Sequence, residues 1–285
     1  MKVKILAALA GVLALGLGGA TAATAGDPDA RAVSPVAGPV VVQDVQIAGP
    51  GQQPTRAYLV RPARPARDRS LAAILYLHWL EPPDVTQNRT EFLDEAIQAA
   101  QRGAVALLPD LTFPWNFNVV GDQRDADSVR AQLAAVVKAY HVLVDQPGVD
   151  PRRTAVVGHD YGAMYGAVLA QHEPRIHSEV FMAGDATWSN WFVTYFVDVP
   201  DPVAYNAFFA GLDPVDNVSR LGAHLYFQWA GQDQFVPAAV RDRFAAADPA
   251  GRVSLYPNAH HNLDQHAKDD RVPWLYNELG LAHGS

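Results

Sequence analysis

An aspartate stands between two glycines at a point where the chain is expected to turn from a strand into a helix. The stretch VVGHDYGAMYGA, residues 156–167, places Asp160 between Gly158 and Gly162. Glycines at these positions allow a sharp turn that holds the middle residue in a strained conformation above the sheet. The free N–H groups at the start of the following helix stabilise an anion. We therefore expect Asp160 to be ionised at about pH 7 and to attack without the help of a base.

A simpler interpretation is that Asp160 only caps the helix, since aspartate is common at that position. The pattern G-x-D-x-G does not by itself separate the two interpretations. In YFQWAGQDQFVP, however, Asp233 follows a predicted buried strand. A carboxylate there can accept a hydrogen bond from a histidine ring and fix its tautomer. Alternatively, Asp233 is an ordinary acidic residue at the start of the next helix.

Two adjacent histidines, His260 and His261, follow the last predicted strand in the stretch YPNAHHNL. Nucleophile, acid and histidine then occur in the order of the α/β-hydrolase triad, each at the carboxyl end of a predicted strand. The stretch AHHNL resembles the A-G-H-x-[LF] loop of such enzymes, which favours His261 over His260 as the base. A histidine pair can also bind metal, but no carboxylate stands at ligand spacing, so we predict neither a metal nor a cofactor.

The stretch HWLEPP after the third predicted strand is the expected source of an oxyanion hole. Enzymes with this triad order typically carry His-Gly-x there. A backbone N–H of that loop, together with the N–H of Tyr161 after the nucleophile, would stabilise an oxyanion. In this chain Trp79 replaces the glycine. The loop donor can therefore be Trp79 or Leu80, and Trp79 can alternatively pack in the core.

The elements that must position these residues alternate between strands and helices. Strands are predicted at residues 40–47, 56–60, 71–77, 104–108, 154–157, 178–182, 224–230 and 253–256, and helices at 88–102, 125–144, 161–172, 238–247 and 269–279. This alternation predicts an α/β fold with a mostly parallel eight-stranded sheet flanked by helices. The first two strands are close together, as in an antiparallel edge. Residues 184–221 are an aromatic and proline-rich insertion, which predicts a short lid.

The first 25 residues have the composition of a secretory signal. A short basic start precedes an apolar run, and Ala23 to Ala25 fits the small-x-small rule for cleavage. We expect cleavage after Ala25, a flexible leader over residues 26–39 and one domain over residues 40–285, secreted or periplasmic. A membrane anchor is the alternative, but the apolar run is short for a span. The chain has no cysteine, which excludes disulfides and a lipoprotein anchor.

The charge of the chain limits its partners. The formal net charge is −8 at pH 7, and no run rich in lysine and arginine occurs. These features argue against a nucleic-acid partner. We expect a small-molecule substrate and no membrane association after signal cleavage, whereas the sequence leaves the oligomeric state open.

Over nearly all of its mature length, the chain resembles the α/β-hydrolase superfamily and two of its branches. GHDYG is similar to the GHDWG elbow of epoxide hydrolases and haloalkane dehalogenases, whose nucleophile is this aspartate. The stretches LYLHWLEPP, TQNRTEFLDEAIQAAQRGAVALLPD, LDPVDNV and GQDQFVP resemble the dienelactone hydrolase-like branch. That branch normally carries serine or cysteine at the elbow and cleaves esters or lactones. The chain lacks that residue, and it also lacks the His-Gly-x-Pro loop of the first branch.

The first resemblance implies that Asp160 attacks a saturated carbon and forms an ester. His261, oriented by Asp233, would then activate a water that hydrolyses this ester. Ordinary esters are less natural substrates, because attack by a carboxylate on an acyl group produces a reactive anhydride. Tyr161 replaces the tryptophan of GHDWG, which removes one ring donor that dehalogenases use and favours an epoxide or another substrate with an oxygen leaving group.

The leaving group needs its own donors. Tyr195 and Tyr205, in the insertion, are candidates to protonate an epoxide oxygen. Trp115 and Asn116, in TFPWNFN, are candidates to hold a halide, as is Trp79. In the simpler interpretation these aromatic residues form the core of the lid.

The leading prediction is a secreted hydrolase that uses an Asp160–Asp233–His261 triad on an epoxide or another small apolar substrate. Two alternatives remain open. The first is a dienelactone hydrolase-like enzyme that cleaves carboxylic esters or lactones. The second is a catalytically silent protein of the same fold that binds a small apolar ligand under its lid.

Overall fold

The computed structural model describes residues 40–48, 54–64, 66–80, 88–112, 118–218 and 224–281. The strands are β1 Val40–Ile47, β2 Thr55–Pro62, β3 Leu71–Leu77, β4 Ala104–Pro109, β5 Val149–His159, β6 Ser178–Met182, β7 His224–Ala230 and β8 Arg252–Tyr256. They form one eight-stranded sheet in the order β1-β2-β4-β3-β5-β6-β7-β8. β2 runs antiparallel to β1 and β4, and the other neighbouring pairs are parallel. The predicted mostly parallel sheet with an antiparallel edge is confirmed.

The central strands are apolar because helices cover both faces of the sheet. Every residue of β3, β4 and β6 is buried. The helices are α1 Leu93–Gln101, α2 Gln123–Val144, α3 Tyr161–His172, α4 Trp188–Tyr195, α5 Pro202–Ala207, α6 Pro214–Val218, α7 Ala238–Ala246 and α8 Gln265–Glu278. Apolar residues of α1 and α8 pack on one face, while those of α2 and α3 pack on the other.

The register of the parallel strands brings their carboxyl ends to one edge of the sheet. Leu77, the last residue of β3, pairs with Gly158, and His159 pairs with Met182 at the end of β6. Loops that follow β3, β5, β7 and β8 therefore meet above this edge. It is the edge at which ligands bind in open α/β sheets.

Some boundaries differ from the sequence predictions. β5 begins at Val149 rather than at residue 154, because its first residue pairs with Leu71. The helix predicted at 88–102 divides into a single 3₁₀ turn, Asn88–Thr90, and α1. The last helix begins at Gln265 rather than at residue 269, since the side chain of Asp264 caps it by accepting a hydrogen bond from the N–H of Ala267 at 3.1 Å.

The described part of the insertion between β6 and β7, which extends to Val218, contains three short helices. It contains α4, α5 and α6, and its large aromatic side chains are buried against the α2 and α3 face, among them Trp188, Phe192 and Phe209. The start of α4 is held by two buried carboxylates. Asp185 accepts from the N–H of Thr187 at 3.0 Å, and Asp213 accepts from the N–H of Trp188 at 2.9 Å.

The predicted signal peptide, residues 1–25, and the leader, residues 26–39, lie outside the described residues. Within the part of the chain that the structure describes, no helix combines the length and the apolar character that crossing a bilayer requires.

Candidate active site

The turn at Asp160 is strained, and its glycines are required by close backbone packing. Asp160 has φ 51° and ψ −123°, a conformation that is rare for a residue with a side chain. A Cβ on Gly158 would lie 2.6 Å from the carbonyl oxygen of Gly162, and one on Gly162 would lie 2.3 Å from that of Leu77. Only glycine fits at these positions, where α3 packs directly on β5 and β3. Backbone strain of this kind is concentrated at functional sites.

The carboxylate of Asp160 faces the site instead of capping the helix. It makes no capping hydrogen bond to α3. Its Oδ2 accepts a hydrogen bond from the N–H of Leu80 at 3.2 Å. The N–H groups of Leu80 and Tyr161 both act to lower the pKa of Asp160, against the larger effect of burial. Its Oδ1 lies 3.8 Å from Nε2 of His261. One oxygen thus occupies the predicted oxyanion hole, while the other faces the histidine.

Asp233 and His261 form a close pair. Nδ1 of His261 lies 3.0 Å from both carboxylate oxygens of Asp233, which also accepts the N–H groups of Phe235 at 2.8 Å and Val236 at 3.0 Å. Burial raises the pKa of Asp233, but these hydrogen bonds and the neighbouring histidine outweigh burial, and the net pKa is lowered. An ionised Asp233 places the ring proton on Nδ1 and leaves Nε2 directed at Asp160.

Between the two adjacent histidines, the structure brings His261 to the aspartates. His261 is 7% exposed, whereas His260 is exposed to solvent. For the oxyanion loop, the donor near Asp160 is Leu80. Trp79 was the other candidate, but its N–H is donated to Oε2 of Glu91 at 2.7 Å. A backbone donor bound to a carboxylate is not free to stabilise an oxyanion elsewhere.

A second histidine–carboxylate pair, which the sequence analysis missed, lies beside this site. Nδ1 of His159 is 2.6 Å from Oε1 of Glu91, and Nε2 of His159 is 2.9 Å from the backbone carbonyl oxygen of His261. His159 belongs to the G-x-D-x-G motif, which was a signal that it lies nearby. Glu91 carries no such signal, because it is 68 residues away in the chain and falls within a predicted amphipathic helix.

Burial and neighbouring charges act on Asp160 in opposite directions. Burial raises the pKa of Asp160 above its usual value, and the histidines His261 and His159 oppose it, as do the N–H groups of Leu80 and Tyr161. A desolvated carboxylate is a stronger nucleophile than a hydrated one, provided that it stays ionised. The expected ionisation near neutral pH therefore depends on the positive charge around Asp160.

Aromatic rings line the site next to the histidines. The ring of Trp79 stacks on His159 with centroids 5.4 Å apart and lies 6.1 Å from the ring of His261. The ring of Phe235 meets His261 edge-on at 4.9 Å. The ring of Trp79 thus lies beside both histidines, while its backbone N–H is donated to Glu91. These rings favour a substrate with an apolar surface.

The structure does not direct the two candidate tyrosines at a leaving group. The hydroxyl of Tyr205 donates to Oδ2 of Asp125 at 2.8 Å, at the start of α2. The hydroxyl of Tyr195 donates to the backbone carbonyl of Phe235. Buried hydroxyls take the nearest strong acceptor, and the sequence could not reveal these two. The halide candidates Trp115 and Asn116 lie outside the described residues.

One group of described residues has the side-chain types of a metal site. His177, His224 and Glu278, here called the amino-edge cluster, bring their ligand atoms within 4.8 Å of one another. The cluster lies at the starts of β6 and β7, opposite the edge that carries Asp160. Nδ1 of His224 is 2.6 Å from Oε2 of Glu278, which is the distance of a direct hydrogen bond.

The fold can be compared with known proteins. No family model matches the sequence, and no curated protein sequence is significantly similar to it. Solved structures are similar in shape. An acetyl xylan esterase from Paenibacillus sp. R4 superposes with a TM-score of 0.70 at 16% identity, covering 86% of this chain and 86% of that one.

Two further structures give the same result. Acetyl xylan esterase 1 from Thermoanaerobacterium sp. superposes with a TM-score of 0.65 at 12% identity over 84% of both chains. A Klebsiella pneumoniae protein assigned as a dienelactone hydrolase has a TM-score of 0.58 at 16% identity, covering 85% of this chain and 98% of that one. Similarity at these identities establishes the architecture alone, and with its sheet order and strained elbow the chain has the α/β-hydrolase fold.

Proposed function

We propose that the protein is a hydrolase that forms a covalent ester on Asp160 and releases it with a water activated by His261. The observation that carries the proposal is the position of the Asp160 carboxylate. Its Oδ2 already lies on the backbone N–H of Leu80, at 3.2 Å, while its Oδ1 lies 3.8 Å from Nε2 of His261. This is the arrangement needed if the carbonyl that water attacks belongs to Asp160 itself.

In the first step, Oδ1 of Asp160 attacks a saturated carbon of the substrate. A carbon–oxygen bond to the enzyme forms as the bond to the leaving group breaks, and the leaving group departs with the electron pair. An epoxide oxygen departs as an alkoxide that takes up a proton. The negative charge of Asp160 is consumed, and an alkyl ester remains on Oδ1.

In the second step, water attacks Cγ of Asp160 while Nε2 of His261 takes its proton. Asp233 stabilises the resulting imidazolium. The oxyanion develops on Oδ2, where the N–H groups of Leu80 and Tyr161 stabilise it. Collapse breaks the Cγ–Oδ1 bond, and the departing alkoxide takes the proton from His261. The alcohol therefore carries an oxygen from Asp160, and the carboxylate regains one from water.

The proposed substrate is an epoxide or another small apolar molecule with a leaving group on a saturated carbon. The rings of Trp79 and Phe235 beside His261 support an apolar substrate. A second candidate, hydrolysis of a carboxylic ester or lactone, is favoured by the structural neighbours, whose names are acetyl xylan esterase and dienelactone hydrolase. For that reaction the carboxylate of Asp160 must leave the N–H of Leu80 free for the substrate carbonyl.

A single turnover in oxygen-18 water distinguishes the candidates. Covalent catalysis on Asp160 predicts that the oxygen transferred to the first product is unlabelled and that the label enters the Asp160 carboxylate. Label in that position of the first product contradicts the proposal.

A trapped intermediate gives a second test. His261→Gln should accumulate an ester on Asp160, visible as a mass increase equal to the part of the substrate that stays attached to the enzyme. The matched control His260→Gln should not. Absence of turnover on epoxide, haloalkane, ester and lactone panels would instead favour a silent ligand-binding protein.

The proposed setting of this activity is outside the cytoplasm, as the basic start, apolar run and cleavage pattern of residues 1–25 suggest. Expression of the full-length chain in a bacterial host should yield a mature protein that begins at Gly26. Sequencing the amino terminus of the exported protein tests this. An uncleaved chain that stays with the membrane fraction would support the anchor alternative.

A further inference from the structure

We propose that Glu91 holds His159 as a permanent imidazolium, and that this charged pair keeps the buried Asp160 ionised and ties together the two loops that complete the site. The pair is a set of positioning residues and does not touch the substrate. Its kinetic consequences rest on the proposed function, whereas the charge state of His159 does not.

The geometry around His159 requires two ring protons. Its Nδ1 lies 2.6 Å from a carboxylate oxygen of Glu91, and its Nε2 lies 2.9 Å from the carbonyl oxygen of His261. Both partners are acceptors only. A neutral imidazole has one N–H and would direct the lone pair of its other nitrogen at an oxygen, whereas the imidazolium donates from both nitrogens.

A neighbouring histidine shows the opposite arrangement. Nδ1 of His78 lies 2.7 Å from the carbonyl oxygen of Trp79, and its Nε2 accepts a hydrogen bond from the N–H of Leu111 at 2.8 Å. One acceptor and one donor satisfy a neutral ring. Burial accordingly lowers the pKa of His78. For His159 burial also acts to lower the pKa, but the charge and hydrogen bond of Glu91 outweigh it and raise the pKa.

The proposed mechanism requires Asp160 to be ionised when it attacks the substrate, so it needs a positive charge nearby. A carboxylate removed from water is costly unless a cation stands nearby. The titratable groups that act on it are His261, His159, Asp185, Tyr195 and Tyr161, of which the last three add no positive charge. In the second step His261 takes a proton from water through Nε2, so the mechanism cannot use a permanent charge on that ring. The two acceptors around His159 hold both of its ring protons, so His159 is the positive charge that the reaction does not consume.

The same pair also connects the loops of the site. Oε1 of Glu91 accepts a hydrogen bond from Nδ1 of His159, while its Oε2 accepts one from the N–H of Trp79, the residue before Leu80. The other nitrogen of His159 donates to the backbone of the base, His261. The oxyanion loop after β3 and the histidine loop after β8 are thus held to the elbow by one buried ion pair. The side chain of His159 is 1% exposed and that of Glu91 is 18% exposed.

The test compares His159→Gln and Glu91→Gln with wild type by titrating labelled side chains. In wild type, ¹⁵N chemical shifts should show His159 with both nitrogens still protonated at pH values above the usual histidine range. In His159→Gln, which keeps a donor but carries no charge, the ¹³C carboxyl titration of Asp160 should move to higher pH by about one unit or more. The acid limb of kcat/KM should move by the same amount.

Glu91→Gln provides the second route if His159→Gln does not fold. His260→Gln, an exposed neighbour of the base, should move neither titration.

A neutral His159 in wild type would overturn the proposal. A His159→Gln protein in which Asp160 titrates as in wild type and kcat falls equally at every pH would also overturn it. That pattern would mean that His159 only holds the loops in position and has no electrostatic effect on Asp160. The two titrations need no substrate. Failure of the oxygen-18 experiment would therefore refute covalent catalysis and leave the assignment of charge to His159 standing.

Discussion

Histidine–carboxylate clusters stand at both edges of the sheet, and they differ in burial. The cluster above the carboxyl edge comprises Glu91, His159, Asp160, Asp233 and His261; the amino-edge cluster comprises His177, His224 and Glu278. His159 is 1% exposed, whereas His177 is 39% and His224 is 65% exposed. The carboxylates differ little, with Glu91 18% and Glu278 14% exposed, so the burial of the histidines is what separates the clusters.

Burial changes what a hydrogen bond can control. In water, a histidine and a glutamate each keep their usual ionisation, and the pair between them contributes little. Away from water an unpaired charge is costly, so the protonation state of each partner depends on that of the other. The carboxyl-edge cluster can therefore specify a charged His159, a fixed tautomer of His261 and a desolvated Asp160. The amino-edge cluster lacks the burial needed for such control.

The largest effect is expected for Asp160→Asn, which removes the nucleophile and should lower kcat by about 10⁴-fold or more. Asparagine tolerates positive φ as well as aspartate does, so the strained turn should persist. A thermal melt close to that of wild type would show that the loss belongs to the chemistry. Retention of most of the activity would mean that Asp160 is not the attacking group.

The next largest effect is expected for Asp233→Asn. The amide cannot stabilise the imidazolium and allows the wrong tautomer of His261, so kcat should fall by about 10³- to 10⁴-fold. Because Asp233 acts on the second step, a burst of substrate consumption equal to one enzyme equivalent should precede the slow phase. A uniform slow rate without a burst would place Asp233 in the first step instead.

Buried carboxylates that are not paired with a histidine extend the comparison between the two clusters. Burial raises the pKa of Asp213 to about 7 and that of Asp185 to about 6, both at the start of α4. Because each folded pKa exceeds its unfolded value of 3.8, the folded state binds more protons, and stability is lost as pH rises from about 4 to 7.

Asp213→Asn should therefore reduce this pH dependence by about 1–3 kcal/mol, as measured by chemical denaturation at several pH values. Asparagine keeps an oxygen that can accept the N–H of Trp188. Asp94→Asn, at an exposed position in the first turn of α1, is the control. If the free energy of unfolding depended on pH in Asp213→Asn as it does in wild type, Asp213 would be ionised throughout the pH range.

The smallest effect is expected for Glu278→Gln in the amino-edge cluster. An ion pair this exposed should contribute at most about 1 kcal/mol, with no change in kcat. Raising the salt concentration should remove most of that difference. The comparison between the clusters would fail if Glu278→Gln destabilised the protein as strongly as Glu91→Gln.

Much of the fold could be predicted from periodicity alone. The bounds of β1, β3, β6 and β7 agree with the predictions. β3 is a continuous apolar run, whereas β1 mixes β-branched residues with exposed polar ones, and both patterns are typical of strands. Bounds that depend on a distant partner were missed. β5 extends to Val149 because it pairs with Leu71, and no local pattern signals that contact.

The sequence by itself determined the sheet, the strained elbow and the order of Asp160, Asp233 and His261, because these depend on local spacing and on where predicted strands end. Only the tertiary structure placed the N–H of Leu80 on Asp160 and that of Trp79 on Glu91, and brought Glu91 to His159. These contacts are hydrogen bonds between residues 12 to 102 positions apart in the chain. The physical reason is that a buried polar group must find a partner in space, and its neighbours in sequence do not reveal which partner that is.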